Sequence, residues 1–317
     1  MPPRSPNTLA GPYLERAAHR RKDEAHVQAA LADPRTLFVP VWHACNCVLR
    51  QGELLTAHLV TGVQALGAIE ATDYVWLGEF HGQAVFAVSL SGERPQLADV
   101  TVDFQDLRML AGALPADEAG LLAYARAMIH WRETHRFCGR CGWPTEAVSG
   151  GHVLRCSNEG CRSQQFPRID PAVIVLVTDG ERALLGRQAS WPAGRYSTIA
   201  GFVEPGESLE DAVAREVREE TGVDVGVVDY HSSQPWPFPS SLMLGFTAYA
   251  RSTDISQVDD ELEDVRWWTR AEIAGGAVAL PITHSISFRL VEDWYDSGAD
   301  RPLREEPGVR MWRLPRR

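Results

Sequence analysis

Residues 201–222, GFVEPGESLEDAVAREVREETG, carry seven acidic side chains against two basic ones. Glu216 and Glu220 stand four apart, and Glu219 lies three beyond Glu216, so a helix would place all three close together. Like charges at that spacing cost a helix about 0.2–0.5 kcal/mol per pair unless something neutralises them. Spacing alone leaves two readings: a solvated acidic face, or a site for divalent cations. Magnesium takes only one or two carboxylates per ion and fills its remaining positions with water and phosphate oxygens. Three glutamates on one face therefore suit a cluster of ions beside a phosphate group.

A second group has metal-ligand spacing. Cys138-x2-Cys141 and Cys156-x4-Cys161 lie with fourteen residues between the pairs, as the knuckles of a zinc ribbon do. Gly139, Gly142 and Gly160 permit the backbone turns that wrap a metal. Four thiolates close a tetrahedral shell and leave no position for water, so one zinc per chain would be structural. Arg136, Arg140, Arg155, Arg162 and Arg168 nearby leave nucleic-acid binding open as an added role. Cys45 and Cys47 are read as small buried hydrophobes.

These groups need elements to hold them. Ser208 and Asp211 form an S-x-x-D cap, so the acidic helix starts at Leu209. Gly222 is suited to end it, and Leu209, Ala212, Val213 and Val217 make its apolar stripe. Ahead of it, AVIVLVT reads as a buried strand and Asp179-Gly180 as a tight turn before RALLGRQ. Behind it come strands near 225–231 and 242–250, strand VRWWT, and short helices at 270–274 and 284–295. This order predicts a mixed sheet between helices. Upstream, TLFVPVW, VWLGEF and QAVFAVSL read as strands of an N-terminal β-rich α+β domain without a catalytic constellation. A helix over 117–135 carries Leu121, Tyr124, Ala125, Met128 and Trp131 at helical spacing.

Gly201-x5-Glu207-x7-Arg215-Glu216-Val217-x-Glu219-Glu220-x-Gly222-Val223 matches the Nudix box at every fixed position. SQPWPFPSS at 233–241 resembles the SQPWPFPxS array of NADH pyrophosphatases. With the cysteines upstream, the chain resembles the NudC-type NADH pyrophosphatases of the Nudix hydrolase family over nearly its whole length. The resemblance implies an α/β class, a Nudix α/β/α sandwich, with an N-terminal domain (1–116), linking helix (117–137), zinc ribbon (138–168), Nudix domain (169–300) and tail (301–317).

It also implies roles. Glu216, Glu219 and Glu220 would be magnesium or manganese ligands, joined by the Ala200 carbonyl, with Glu220 favoured to handle the attacking water. Glu207 and Arg215 would brace the box loop that begins at Gly201. A further acid would come from DDELEDVRWW, which offers Asp259, Asp260, Glu261, Glu263 and Asp264; alignment on the tryptophan favours Glu261, against a solvated acidic loop. Phe202 would stack on the nicotinamide base, with Phe166 nearby where many relatives have Tyr. Three prolines stiffen the array, so that Trp236 and Phe238 could present planar faces and Ser233, Gln234 and Ser241 polar contacts. The alternative is a rigid loop whose aromatics plug a core.

The expected reaction is hydrolysis of NAD(H) to NMN(H) and AMP, with NAD-capped RNA as a further substrate and a homodimer as the assembly. Hydrolysis of ADP-ribose or another sugar nucleotide is the enzymic alternative, and nucleic-acid-binding regulation the non-enzymic one. At 317 residues with a formal net charge of −11, the chain has no global positive field to attract polyanions. Bound cations would have to invert the local sign. No secretory h-region and no membrane-length apolar run is visible, which reads as a cytoplasmic protein with no membrane partner.

Overall fold

The computed structural model describes residues 7–63, 71–93, 103–256 and 261–312. Asp259 and Asp260, and residues 313–317 of the expected tail, lie outside them. The chain divides into two compact units. Among the described residues no helix is long and apolar enough to cross a membrane.

The first unit holds residues 8–169 and 236–240. Helix α1 (Glu24–Ala32) precedes strands β1 (Leu37–Trp42), β2 (Cys45–Gln51), β3 (Leu54–Ala57), β4 (Val60–Thr61), β5 (Ala71–Phe80), β6 (Gln83–Leu90) and β7 (Asp103–Gln105). The sheet runs β3-β2-β1-β6-β5, with β4 on β1 and β7 on β2. Among the described strand pairs of this sheet, β1–β6 is parallel and the others antiparallel. Short α2 (Leu107–Leu110) leads to α3 (Ala116–Thr134). That last helix, expected to link domains, instead belongs to the first core. Leu121, Leu122, Ala125, Met128, Ile129 and Trp131 are buried there with Val39, Val75 and Val85 of the sheet. Burial of a whole helical face leaves no linker; the helix is what covers the sheet.

The ribbon is counted with the same unit. It consists of β8 (Thr145–Val148), β9 (Val153–Cys156) and β10 (Gln164–Gln165), in the order β10-β9-β8. Its hairpin turn has three successive left-handed residues, Ser149, Gly150 and Gly151, with φ of 52°, 60° and 85°. A side chain at Gly151 would meet Arg132 Nη1 at 2.9 Å, so the tip fits closely. The Trp76 amide donates to the Gly150 carbonyl at 2.9 Å, and His152 Nε2 donates to the Trp76 carbonyl at 2.7 Å.

Burial pushes His152 down to about 4, and Arg21, Arg16 and Arg132 add to the effect, against the Trp76 carbonyl. Because the folded value lies below the ordinary 6.5, the unfolded chain binds the extra proton between those two values. Stability is then present above pH 6.5 and lost as pH falls towards 4, by about 3 kcal/mol from this group. Urea unfolding of the parent and His152→Gln at neutral pH and near pH 4.5 checks it: the parent should lose more stability than the variant on acidification. Equal losses would exclude His152 as the acid-labile group.

The second unit holds, among the described residues, 170–235, 241–256 and 261–312. Strands β11 (Asp170–Thr178), β12 (Arg182–Arg187) and β13 (Ile199–Phe202) precede α4 (Leu209–Thr221). Then follow β14 (Val225–Trp236), β15 (Ser241–Ala250), β16 (Asp264–Thr269), α5 (Arg270–Ala274), β17 (Ala279–Leu280), α6 (Ile286–Asp296) and β18 (Arg310–Met311). The sheet runs β14-β15-β11-β12-β16, with β13 on β11. The β11–β15 pair is parallel and the β11–β12 and β12–β16 pairs antiparallel, so the expected mixed sheet is present.

Alternation along β11 builds the sandwich. Val173, Val175 and Val177 face one core with Ala212, Val213 and Val217 of α4. Ile174 and Leu176 face the other with Phe288, Leu290 and Val291 of α6. The strand expected near 225–231 runs on to Trp236, absorbing half of the proline-rich stretch. A strand at a sheet edge tolerates Pro235, because the proline nitrogen has no proton to donate.

Candidate active site

The acidic helix forms where its caps place it. Ser208 Oγ accepts from the Asp211 amide at 3.1 Å, and Asp211 Oδ2 accepts from the Ser208 amide at 3.3 Å. Gly222 ends it with φ of 74°. Ala212, Val213 and Val217 bury the apolar face, and two carboxylates go under with it: Glu216 is 9% exposed and Glu220 4%. Glu219 stays outside, its side chain 49% exposed. The like charges are thus held beside a core and not dispersed in solvent, which goes against the solvated-face reading.

Arg215 organises them. Its Nε and Nη2 reach the two carboxylate oxygens of Glu207 at 2.6 and 3.0 Å. Its Nη1 donates to Glu216 Oε1 and Glu219 Oε2, each at 2.9 Å, and Nη2 also donates to the Phe202 carbonyl at 2.9 Å. One guanidinium therefore joins the loop, the helix and the end of β13. Glu207 holds Arg215 well above the usual guanidinium range, with Glu219 and Glu216 adding to it. In return Arg215, helped by the Glu204 amide, lowers the Glu207 carboxyl. Burial raises the Glu216 carboxyl; Arg215 opposes this, while Glu219 and Glu261 push it further up.

Glu261 is exposed, but its neighbour Leu262 is buried in the core shared with Val213 and Val217. The acid therefore stands close enough for its charge to bear on Glu216. Ala200 lies in β13 opposite Ile174, one residue before Gly201 opposite Val173. Oxygen donors only, partly buried and mutually repelling, fit hard divalent cations.

The other expected residues divide. Phe202 is 60% exposed at the end of β13, and Phe166 is 63% exposed in the first unit. Ser241 opens β15, half-buried opposite Asp170. Gln234 does not match its expected part. It is fully buried, its amide nitrogen donating to the His284 carbonyl and its oxygen accepting from the Ile286 amide, both at 2.8 Å. That side chain ties β14 to the start of α6 and is not presented for a ligand. Trp236 and Phe238 are half-buried against the first core, ring to ring at 5.0 Å and 79°. Their backs plug that core, as the alternative reading had it, and only part of each ring remains open.

The four cysteines are, among the described residues, the one cluster with a ready set of metal-ligand atoms, all within 4.8 Å of one another. Cys138 and Cys161 sulfurs lie 3.9 Å apart, and those of Cys141 and Cys156 3.4 Å. Zinc–sulfur bonds of about 2.3 Å give tetrahedral edges of about 3.8 Å, so the cluster fits zinc. Backbone amides of Arg140 and Cys141 lower the Cys138 thiol to about 7, whereas burial raises Cys156 to about 12.

Comparison with known proteins agrees with this geometry. A NUDIX domain profile matches residues 168–290, and an NADH pyrophosphatase zinc ribbon profile matches 133–166. The NAD-capped RNA hydrolase NudC of Stutzerimonas stutzeri is 42% identical over 237 residues, covering 73% of this chain and 81% of that protein. This chain belongs to the NudC-type NADH pyrophosphatases, within the Nudix hydrolases. The NudC of Deinococcus radiodurans is 38% identical over 275 residues, 86% of this chain and 90% of that one. The NAD-capped RNA hydrolase NUDT12 of Macaca fascicularis is 44% identical over 196 residues, 57% of this chain. The chain spans about half the length of such longer relatives, 42–56% of them.

A third profile, an NADH pyrophosphatase-like rudimentary NUDIX domain, matches residues 21–131. Sequence reasoning missed this Nudix kinship, because the first unit carries no box to mark it. In the box itself, Gly201 has a steric reason. A Cβ there would lie 1.9 Å from the Glu216 carboxyl carbon, and Arg215 holds that carboxyl in place. Gly201→Ala is therefore expected to displace Glu216, at a cost of about 1–3 kcal/mol, and to reduce turnover. Thermal unfolding together with initial rates checks it; an unchanged Tm and rate would mean the carboxyl moves freely aside.

Proposed function

We propose that the chain hydrolyses the diphosphate bridge of NAD(H), giving NMN(H) and AMP, and that it removes NAD caps from RNA 5′ ends. The observation that carries this reading is the Arg215 hub, which joins Glu216 and Glu219 to Glu207 of the loop while Glu220 stays 4% exposed on the same helix. The names of relatives 38–42% identical to this chain, NAD-capped RNA hydrolases, support the choice of substrate.

Glu216, Glu219, Glu220, Glu261 and the Ala200 carbonyl would hold Mg2+ or Mn2+. When bound, such cations neutralise phosphate charge and acidify water. Glu220 takes the proton of the water that adds to one phosphorus, and the bridging oxygen leaves with the other phosphate. Arg215 keeps the loop and helix in register. Phe202, well exposed at the end of β13, offers a stacking surface for a base, and Phe166, well exposed in the first unit, offers another. A cytoplasmic homodimer completes the proposal.

The test is to incubate the zinc-loaded protein with NADH, NAD+, ADP-ribose or NAD-capped RNA, each with Mg2+ or Mn2+, and to identify the products. Nicotinamide mononucleotide and AMP are expected. Cleavage of ADP-ribose with NADH untouched would overturn the substrate assignment.

A further inference from the structure

Arg126 is buried in α3, 8% exposed among Leu122, Ile129 and other core residues. Its Nε donates to the Pro237 carbonyl at 2.8 Å. Its guanidinium carbon lies 4.9 Å from the Phe238 ring centroid, and that of Arg108 lies 5.3 Å from the same ring. Arg108 is itself paired with Asp106 at 2.7 Å, so Phe238 is held by two cations, one deep and one anchored. Phe238 in turn meets Trp236 edge-on.

Packing alone does not account for an arginine here. Its Nη1 is buried without a hydrogen-bond partner, and burial lowers its pKa despite Asp106. An apolar side chain of similar length would fill the space without an orphaned donor or a desolvated charge. What an apolar residue could not do is fix a backbone carbonyl and an aromatic face together.

We propose that Arg126 is a positioning residue for residues 236–240 of the array, setting Trp236 and Phe238 in the pose that meets the nicotinamide end of NAD(H). This rests on the NAD(H) reading above.

The test compares NADH with ADP-ribose, which keeps the diphosphate but lacks the nicotinamide base. Arg126→Met is expected to raise KM for NADH about tenfold, the worth of one fixed contact, with kcat within about twofold. ADP-ribose kinetics should not change, and Arg126→Lys, which retains a cation and a donor, should recover part of the loss. Trp236→Ala serves as the control for the array. If it raises KM for NADH while Arg126→Met does not, Arg126 only packs and the inference falls, with the NAD(H) reading intact. Equal losses on both substrates would mark general damage and also overturn it. If the parent does not hydrolyse NADH, or Trp236→Ala leaves KM unchanged, it is the dinucleotide reading that fails. Should Arg126→Met lose its circular dichroism signal or its zinc, Arg126→Lys carries the same comparison, with a smaller rise in KM expected for NADH alone.

Discussion

Glu220→Gln is expected to lower kcat by about 10²–10⁴-fold, the usual contribution of a positioned general base, while leaving the fold and KM nearly unchanged. The side chain is 4% exposed, so an amide of the same shape keeps the packing. It cannot accept the water's proton, and it brings no negative charge to hold a cation. Loss of one charge also relieves the repulsion with Glu216 one turn away, so stability should hold or rise by about 0.2–0.5 kcal/mol. Single-turnover rates at saturating Mg2+ and Mn2+, with thermal unfolding on the same sample, measure both effects. Turnover near that of the parent would remove Glu220 from the chemistry and leave Glu216 and Glu219 to carry it.

Cys156→Ser is expected to empty the ribbon of zinc and to loosen the N-terminal sheet with it. Cys156 is fully buried, in a sulfur cluster already close to tetrahedral spacing. Structural zinc contributes about 10–16 kcal/mol to the folding of isolated zinc fingers, far more than three short strands can supply by pairing. The consequence should spread, because the β8–β9 turn is hydrogen-bonded to Trp76 through Gly150 and His152. Elemental analysis should find one zinc in the parent and none in the variant, and amide exchange at Trp76 should quicken by orders of magnitude. A zinc-free variant with Trp76 still protected would mean that the turn docks without the ribbon's help.

The strongest sequence signals were local. The helix over Leu209–Thr221 has the expected start and end because both are set within four residues: Ser208 with Asp211 at one terminus, Gly222 at the other. The sandwich was legible for a related reason, since the alternating valines and isoleucine of β11 can only be buried from two sides at once. The cysteine cluster followed from chain geometry, as short knuckles bring their sulfurs together whatever surrounds them.

Contacts made over long separations were not legible. Arg126 reaches Pro237 across 111 positions, and nothing at either residue announces the other. Gln234 reads as a polar contact in a recognition motif until His284 and Ile286, 50 and 52 positions later, occupy both ends of its amide. The helix at 116–134 looked like a connector because its apolar stripe does not say which sheet it will cover.

Sequence alone therefore determined the capped helix and its ordered carboxylates, the sulfur cluster, and through them the family and its class of reaction. Tertiary structure alone decided which of those groups are buried, what Arg215 joins together, and that two array aromatics lean on the first core. The division is physical: caps, turns and knuckles are satisfied by near neighbours, whereas the partner of a buried polar group is chosen by whatever the folded chain places beside it.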